Sequence, residues 1–324
     1  MSKMEKGLVC YFDLLGFSYL TKNITDEENY KILKNNFVLF HKIIYEIIKD
    51  PEINTSILSD CVFIYTYNTT KIDILMKYAA NIMRNSLKNG ILVRGGMCYG
   101  DFEVVKTTLS STNICGEAVT KAVTYEETKG QGCRLFTDEN LHCESDLCCN
   151  VNVELIKDYR NYQNYDTLDI FEWPFIHNSF CMPELVTSFN SSIPQDVLDL
   201  ILDNFIIYSH LRYSESYNWN CANENGRRHI AATIEYLTTI QEKIFTLLGL
   251  EISLRQNFET YLNKTERKNE YKEAFIDCYK DFIQYLSTTQ IKLLQSKNKN
   301  LGTIGYTYLN EKLQECFQKR VKTY

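Results

Sequence analysis

The sequence predicts an α/β fold in its first half, with helices packed on a mixed or antiparallel sheet, and an all-helical second half. Apolar runs that predict strands alternate with helical stretches between residues 8 and 176, and some of these runs are close enough to form hairpins. From Met182 onwards the apolar residues recur almost entirely at helical spacing. With 324 residues, we therefore expect two domains, residues 1–182 and 183–324.

The first strand is predicted at Leu8–Phe12, a continuous apolar run that is typical of a sheet buried on both faces. A helix follows from about Asp26 to Lys49, and Asp50-Pro51 ends it. The next elements are predicted by the same patterns: strands at 57–58 and 62–65, a helix at 72–87, a strand from 91 to 100 with a hairpin partner at 102–106, a helix at 114–127, a short strand at 134–137 and two strands within 151–176.

In the second half, apolar stripes within 197–208, 230–248 and 271–285 predict helix faces used for packing. Arg227-Arg228-His229 is interpreted as a solvated helix start. No chemistry can be assigned to this region from its residues alone.

Composition and charge exclude several classes of protein. The chain is 44% hydrophobic with only 4 Pro, so it is neither disordered nor fibrous, and its net charge of −6 argues against a protein that binds bulk nucleic acid. We find neither an apolar run long enough to span a membrane nor an export signal. The 12 cysteines are therefore expected to be free thiols, as in a protein of the cytoplasm. We expect the protein to bind neither a membrane nor nucleic acid.

Two aspartates are candidates for metal binding. Asp13 follows the first apolar strand and precedes a turn with Gly16, a favourable place for a metal-bound triphosphate. Asp60 interrupts an apolar hairpin; on its own it needs no function, because Ser-Asp favours tight turns. If the two hairpins are neighbours in one sheet, these carboxylates approach each other and repel unless they share cations, which is the two-metal arrangement for phosphoryl transfer.

Two further segments belong to the same set. Arg94 lies within a strand and is followed by Gly95-Gly96, which would leave room for a ligand close to the backbone. A buried arginine needs an anionic partner, either a ligand or a structural carboxylate, and both alternatives stay open. The segment from Asn113 to Val119, with Gly116, is expected to open a helix.

In order and spacing, these segments resemble the catalytic domain of the class III nucleotide cyclases over about residues 7–176. The family's first metal motif, Phe-x-Asp-φ-x-Gly-Phe, stands here as residues 12–17 without the spacer between Phe and Asp. The second metal aspartate, at a hairpin tip, matches Asp60, and the strand arginine with a later glycine matches Arg94 and Gly100. The resemblance implies a ferredoxin-like βαββαβ core with extra strands.

The resemblance also implies a site. Asp13, Leu14 and Asp60 would hold two divalent cations, Mn²⁺ or Mg²⁺, and Arg94 would contact the phosphates. The substrate-binding positions implied by the family are Phe12, Leu14, Leu15, Gly16, Phe17, Ser56, Ser59, Asn113, Thr120 and Thr124. In this family the active site lies between two catalytic domains, so the resemblance implies a homodimer.

Departures from the family pattern bear on the substrate. Purine-specific members carry Lys where Ser56 stands and Asp where Asn113 stands, which argues against an ordinary adenylate cyclase. The ribose-orienting Asn and the transition-state Arg are replaced by Thr120 and Thr124. Either another cation, such as Lys121 or one in the basic C-terminal half, supplies the missing charge, or the domain is catalytically dead.

The pyrimidine cyclases of bacterial anti-phage defence, the Pycsar systems, look similar at residues 12–17, 59–60, 94–96 and 116–127. The resemblance implies conversion of UTP or CTP to the 3′,5′-cyclic monophosphate and pyrophosphate, with the product activating a separate effector. The alternatives are an adenylate or guanylate cyclase with the same mechanism, or a catalytically dead domain that serves as a nucleotide sensor or dimerisation module.

Overall fold

The structure is a computed structural model that describes residues 4–22, 27–106, 112–128, 130–137, 141, 144, 170–171, 203, 207, 211 and 224–247. The chain forms two compact units. One comprises Met1–Thr187 with Asp196–Leu237, and the other comprises Ser188–Gln195 with Thr238–Tyr324. The domain boundary predicted near residue 182 lies outside the described residues, and so do most of the predicted C-terminal helices.

The helices and strands follow one another in an α/β order, as the sequence predicts. They are β1 (Glu5–Leu14), α1 (Phe17–Lys22), α2 (Glu27–Ile47), β2 (Asn54–Leu58), β3 (Cys61–Thr66), a 3₁₀ turn (Thr69–Lys71), α3 (Ile72–Lys88), β4 (Val93–Lys106), β5 (Thr112–Gly116), α4 (Glu117–Thr128), β6 (Leu135–Phe136), β7 (Ile170–Phe171) and α5 (Glu224–Leu247).

The strands among the described residues form one seven-stranded sheet in the order β2-β3-β1-β4-β6-β7, with β5 paired to the second half of β4. The β1–β3, β1–β4 and β2–β3 pairs are antiparallel, and β6 runs parallel to β4. The order β2-β3-β1-β4, with helices after β1 and β3, is the ferredoxin-like arrangement. The prediction of a mixed α/β sheet is therefore confirmed.

β1 lies at the centre of the sheet because it pairs with strands on both sides. Its apolar run is buried on both faces, and Leu8, Val9, Cys10 and Phe12 have no exposed surface. α4 packs on β4 and β1, whereas α3 contacts β3 and β4. This packing fixes the end of β1 that carries Asp13.

Two element predictions near β4 are wrong. The hairpin partner predicted at 102–106 is the continuation of β4 itself, because Gly100 and Asp101 stay extended and pair with Gly7 and Lys6 of β1. The residues predicted to start a helix at 114–116 belong to β5, whose hydrogen bonds to β4 override their local preference. Helix α4 begins only after Gly116, which has a φ of 136°. Of the strands predicted within 151–176, Ile170–Phe171 is described and the rest lies outside the described residues.

In the second half, α5 buries Ile230 and Leu237, as expected for a packing face. Arg227 and Arg228 are exposed as predicted, but His229 is buried and accepts a hydrogen bond from the Gly132 backbone, so that part of the prediction is wrong. Within the part of the chain that the structure describes, no helix is long and apolar enough to cross a membrane. Five described cysteines are free thiols: Cys10, Cys61, Cys98, Cys115 and Cys133.

Candidate active site

Asp13 and Asp60 lie at the same end of the sheet. Asp13 is opposite Cys61 of β3 and Arg94 of β4, and Asp60 is in the turn just before Cys61. The Leu14 N–H donates to the Asp60 carbonyl over 3.2 Å, which joins the two segments directly. Ser59 has a φ of 56°, in the left-handed region that residues other than glycine rarely adopt, so the turn is held in a costly conformation.

Negative charges outnumber the positive charge of Arg94 around Asp13. Burial raises the pKa of Asp13 to about 6; Arg94 opposes the shift, and the negative charges of Asp60 and Glu127 add to it. At neutral pH the cluster therefore holds carboxylates that repel each other, with Arg94 as the cation that acts on Asp13. A bound cation would relieve this repulsion.

Arg94 has a structural partner that sequence reasoning did not identify. Its Nε faces the Glu126 carboxylate in an ion pair and lies 3.8 Å from Asp13 Oδ2. The side chain of Glu126 is only 3% exposed. Of the two alternatives for Arg94, the structural carboxylate is thus present. The signal in the sequence was a charged residue in the helical stripe that contains Ala118 and Ala122, both of which are buried.

The two glycines after Arg94 accommodate protein backbone rather than a ligand, which corrects the interpretation from the sequence. A Cβ on Gly95 would meet the Tyr11 carbonyl, and a Cβ on Gly96 would lie 2.1 Å from the Ala122 carbonyl. They allow β1 and α4 to pack directly on β4.

The turn after Asp13 offers a smaller phosphate cradle than predicted. The Leu14 and Leu15 N–H groups already donate to the Asp60 and Leu92 carbonyls. Gly16 has a φ of 85°, and the space that its Cβ would occupy is open. Phe17 packs near the ring of Phe37 at 6.3 Å between centroids.

Two predicted substrate contacts are buried instead. Phe12 has no exposed surface, so its side chain belongs to the core and cannot touch a ligand. Ser56 is 6% exposed and is the one buried residue of β2. In this protomer neither side chain is accessible to a nucleotide.

Three further predicted positions, Asn113, Thr120 and Thr124, are exposed, and Asn113 lies far from the aspartates. Asn113 of β5 pairs with Val105 of β4. At ~3.3 Å per residue, Val105 lies roughly 35 Å along β4 from Arg94. Thr120 and Thr124 lie on the exposed side of α4, where Thr120 Oγ1 donates to the Gly116 carbonyl over 3.1 Å. The structure therefore brings Asp13, Asp60 and Arg94 together and leaves Asn113 elsewhere.

The donor set at Asp13 and Asp60 fits hard divalent cations. No cluster of three or more His, Cys, Asp or Glu side chains suited to a metal ion occurs among the described residues. Two carboxylates and a backbone carbonyl, such as that of Leu14, are nevertheless ligands that Mg²⁺ and Mn²⁺ accept, with further oxygens supplied by substrate phosphates and water. The mutual repulsion of the carboxylates is consistent with such a site.

No protein-family model and no curated protein matches the chain. Solved structures similar to it include a bacterial light-regulated adenylyl cyclase, at 16% identity and a TM-score of 0.36, covering 44% of this chain and 46% of that one. The adenylyl cyclase CyaB from P. aeruginosa is 15% identical, with a TM-score of 0.36, and the match covers 44% of this chain and 81% of that one. The guanylyl cyclase Cya2 is 13% identical, with a TM-score of 0.36, and the match covers 44% of this chain and 79% of that one. The chain thus matches about half the length of the light-regulated enzyme.

Proposed function

We propose that this protein is a nucleotide cyclase that converts UTP or CTP to the 3′,5′-cyclic monophosphate and pyrophosphate. The observation that carries the proposal is the pair of aspartates, Asp13 and Asp60, held at one end of the sheet with Arg94 beside them. Paired carboxylates with a neighbouring cation suit phosphoryl transfer, in which catalysis consists mainly of positioning and charge stabilisation. The motif order around these residues supports the same reaction.

In this proposal, Asp13, Asp60 and the Leu14 carbonyl hold two divalent cations and orient the triphosphate. Two cations bound there would lower the pKa of the attacking 3′-hydroxyl and would neutralise charge on the phosphates. The open space at Gly16 gives the phosphates access to the turn. The backbone there contributes fewer donors than the sequence suggested, which makes the aspartates more important.

Arg94 is proposed to position Asp13. The sequence predicted that Arg94 contacts the phosphates, but its Nε faces Glu126 and Asp13. A guanidinium held in this way keeps one metal-binding carboxylate in a fixed orientation. The cation that replaces the family's transition-state arginine is therefore to be sought elsewhere, with Lys121 as the candidate on α4.

The proposed active unit is a homodimer. Within one protomer, Asn113 lies far along β4 from Arg94, and Ser56 is buried. One protomer therefore cannot bring Asn113 to a nucleotide bound at Asp13, and we propose that a second copy supplies it. Asn113 is then the position we propose for contact with the base, and Thr120 and Thr124, which are also exposed, stay candidate substrate contacts.

The pyrimidine preference rests on the absence of the purine-reading Lys and Asp at Ser56 and Asn113. By the same resemblance, the product is a second messenger of anti-phage defence that activates a separate effector. These are the finer parts of the proposal, and they can fail without overturning the cyclase reaction.

The test is to incubate the purified full chain separately with ATP, GTP, CTP and UTP in Mn²⁺ and to identify products by mass spectrometry. Asp60→Ala is the inactive control, and Asp101→Asn, towards the other end of β4, is the matched control that should retain activity. A cyclic pyrimidine nucleotide absent only with Asp60→Ala supports the proposal. A purine product overturns the base preference alone, and no product from any nucleotide favours the catalytically dead alternative.

A further inference from the structure

Helix α5 makes three hydrogen bonds to the short loop that joins α4 to β6. His229 Nδ1 accepts from the Gly132 N–H at 3.0 Å, and Thr233 Oγ1 accepts from the Cys133 N–H at 2.8 Å. The guanidinium of Arg134 donates to the Ala232 carbonyl at 3.0 Å. These contacts join residues about 100 positions apart in the chain, so the loop conformation depends on α5.

The loop contacts α5 through buried groups. Thr233 and Arg134 have no exposed surface, and the Arg134 guanidinium lies 5.0 Å from the centre of the Tyr236 ring. A buried arginine is costly unless it is paired. Separation of α5 from the loop would therefore expose the Arg134 guanidinium or leave it buried without these contacts. Gly132 allows the close approach, since a Cβ there would lie 3.2 Å from Thr233 Oγ1.

The same loop contacts β4 on both sides of Arg94. The Gly95 N–H donates to the Arg134 carbonyl at 2.9 Å, and the Val93 N–H donates to the Cys133 sulfur. His229 itself lies close enough to Arg94 for the guanidinium to influence it. Burial and, second, Arg94 lower the pKa of His229 to about 4, which keeps Nδ1 unprotonated as an acceptor at neutral pH.

We propose that α5 supports the active site and that Thr233 is a positioning residue. Through Cys133 and Arg134, Thr233 holds Arg94 against Asp13. This inference rests on the proposed function for its catalytic consequence. Thr233 contacts the loop, the loop contacts the residues on either side of Arg94, and Arg94 lies beside Asp13. A region without assignable chemistry in its sequence thereby acquires a role in the site.

The test uses Thr233→Val, which keeps the shape of the side chain and removes the hydroxyl. Thr233→Ser restores the hydroxyl, and Ala231→Ser changes the exposed side of the same helix as a matched control. We expect Thr233→Val to lower kcat about tenfold or more, because small misplacements at a reacting site are costly, and to change KM by less than about twofold. The other two variants should behave as the unmodified protein does.

Amide hydrogen exchange provides a readout that does not depend on turnover. In Thr233→Val, exchange should accelerate at Cys133 and also at Gly95, since the displacement is passed to β4. Acceleration confined to Cys133, with kcat unchanged, would reduce Thr233 to a structural role and overturn the inference. If the unmodified protein makes no product, the proposed function fails, and exchange at Gly95 still decides whether α5 holds this part of β4.

If Thr233→Val does not fold, native-state exchange on the unmodified full chain gives the answer. With rising denaturant, the amides of Cys133 and Gly95 should open together with those of α5 at residues 230–234, at one common free energy. Protection of Gly95 that persists after α5 has opened would contradict the inference.

Discussion

The two ends of β4 are built in opposite ways. The end at Val93–Gly96 lies between β1 and β6, pairs Arg94 with a buried carboxylate and packs its glycines against backbone carbonyls. The other end, which β5 covers, extends past β1 and leaves Asn113 and Val105 exposed. One strand therefore carries a fixed group of charges at one end and an accessible surface at the other.

This difference indicates how the proposed reaction is divided. Groups that must hold cations and phosphates need fixed positions, because catalytic electrostatics depend on preorganisation. Groups that contact a base in a second copy need exposure instead. Substitutions that break the packing or the Arg94–Glu126 pair at the Arg94 end should therefore reduce stability and activity together, whereas those at the Asn113 end should change selectivity and leave stability almost unaffected.

The largest contrast is expected between Gly96→Ala and Gly100→Ala. A Cβ at Gly96 would lie 2.1 Å from the Ala122 carbonyl, so either α4 or β4 must shift, at a cost of about 3 kcal/mol. At Gly100 the nearest atom is the Ala118 Cβ at 3.6 Å, an ordinary contact, and the change should be within about 0.5 kcal/mol. Urea unfolding measures both, and equal destabilisation would contradict the direct packing of α4 on Gly96.

Glu126→Gln tests the buried pair. The substitution leaves Arg94 without its carboxylate partner in a mostly buried position, and we expect the free energy of unfolding to fall by about 3 kcal/mol. Glu127→Gln is the matched control, because the adjacent side chain is exposed and only adds negative charge near Asp13. Chemical denaturation of the two variants should therefore separate them; similar values would show that Glu126 does not hold Arg94.

Local patterns were sufficient for the elements that position the aspartates. The apolar run of β1, the short β2–β3 hairpin around Asp60 and the amphipathic α3 all carry their signals within a few residues. The continuity of β4 could not be predicted in this way, because it depends on pairing with β1. The strand conformation of Ile114 could not be predicted either, because it depends on pairing between β5 and β4.

The site was predictable to the same extent. The proximity of Asp13 and Asp60 followed from hairpin adjacency, but the partner of Arg94 did not, since Glu126 becomes its neighbour only when α4 packs on β4. The burial of Ser56 on β2, an edge strand, was not predicted, because it depends on the elements that pack over that strand. The contact of His229 with Gly132 required the full tertiary arrangement.

Asp13→Asn is expected to stabilise the protein without metal. The folded-state pKa of about 6 exceeds the ordinary value of 3.8, so the folded chain binds more protons between these values and loses stability as pH rises from about 4 to 6. Removing the carboxylate should therefore raise the free energy of unfolding at pH 8 in EDTA by up to about 3 kcal/mol, with no difference below pH 4. Mn²⁺ should then stabilise the unmodified protein and not the variant. A variant that is less stable at pH 8 would contradict the repulsion inferred at this site.

Asn113→Asp probes the exposed end and should have the smallest energetic effect. Because Asn113 is exposed on β5, we expect the free energy of unfolding to change by less than about 0.5 kcal/mol. If Asn113 contacts the base, the substitution should move the ratio of kcat/KM for ATP over UTP by about tenfold towards ATP, since a polar contact placed against the base discriminates by roughly 1.4 kcal/mol. The matched substitution Asn54→Asp, on the exposed end of β2, should leave that ratio unchanged. An unchanged ratio with Asn113→Asp would place base recognition elsewhere, and the exposed end of β4 would then need another explanation.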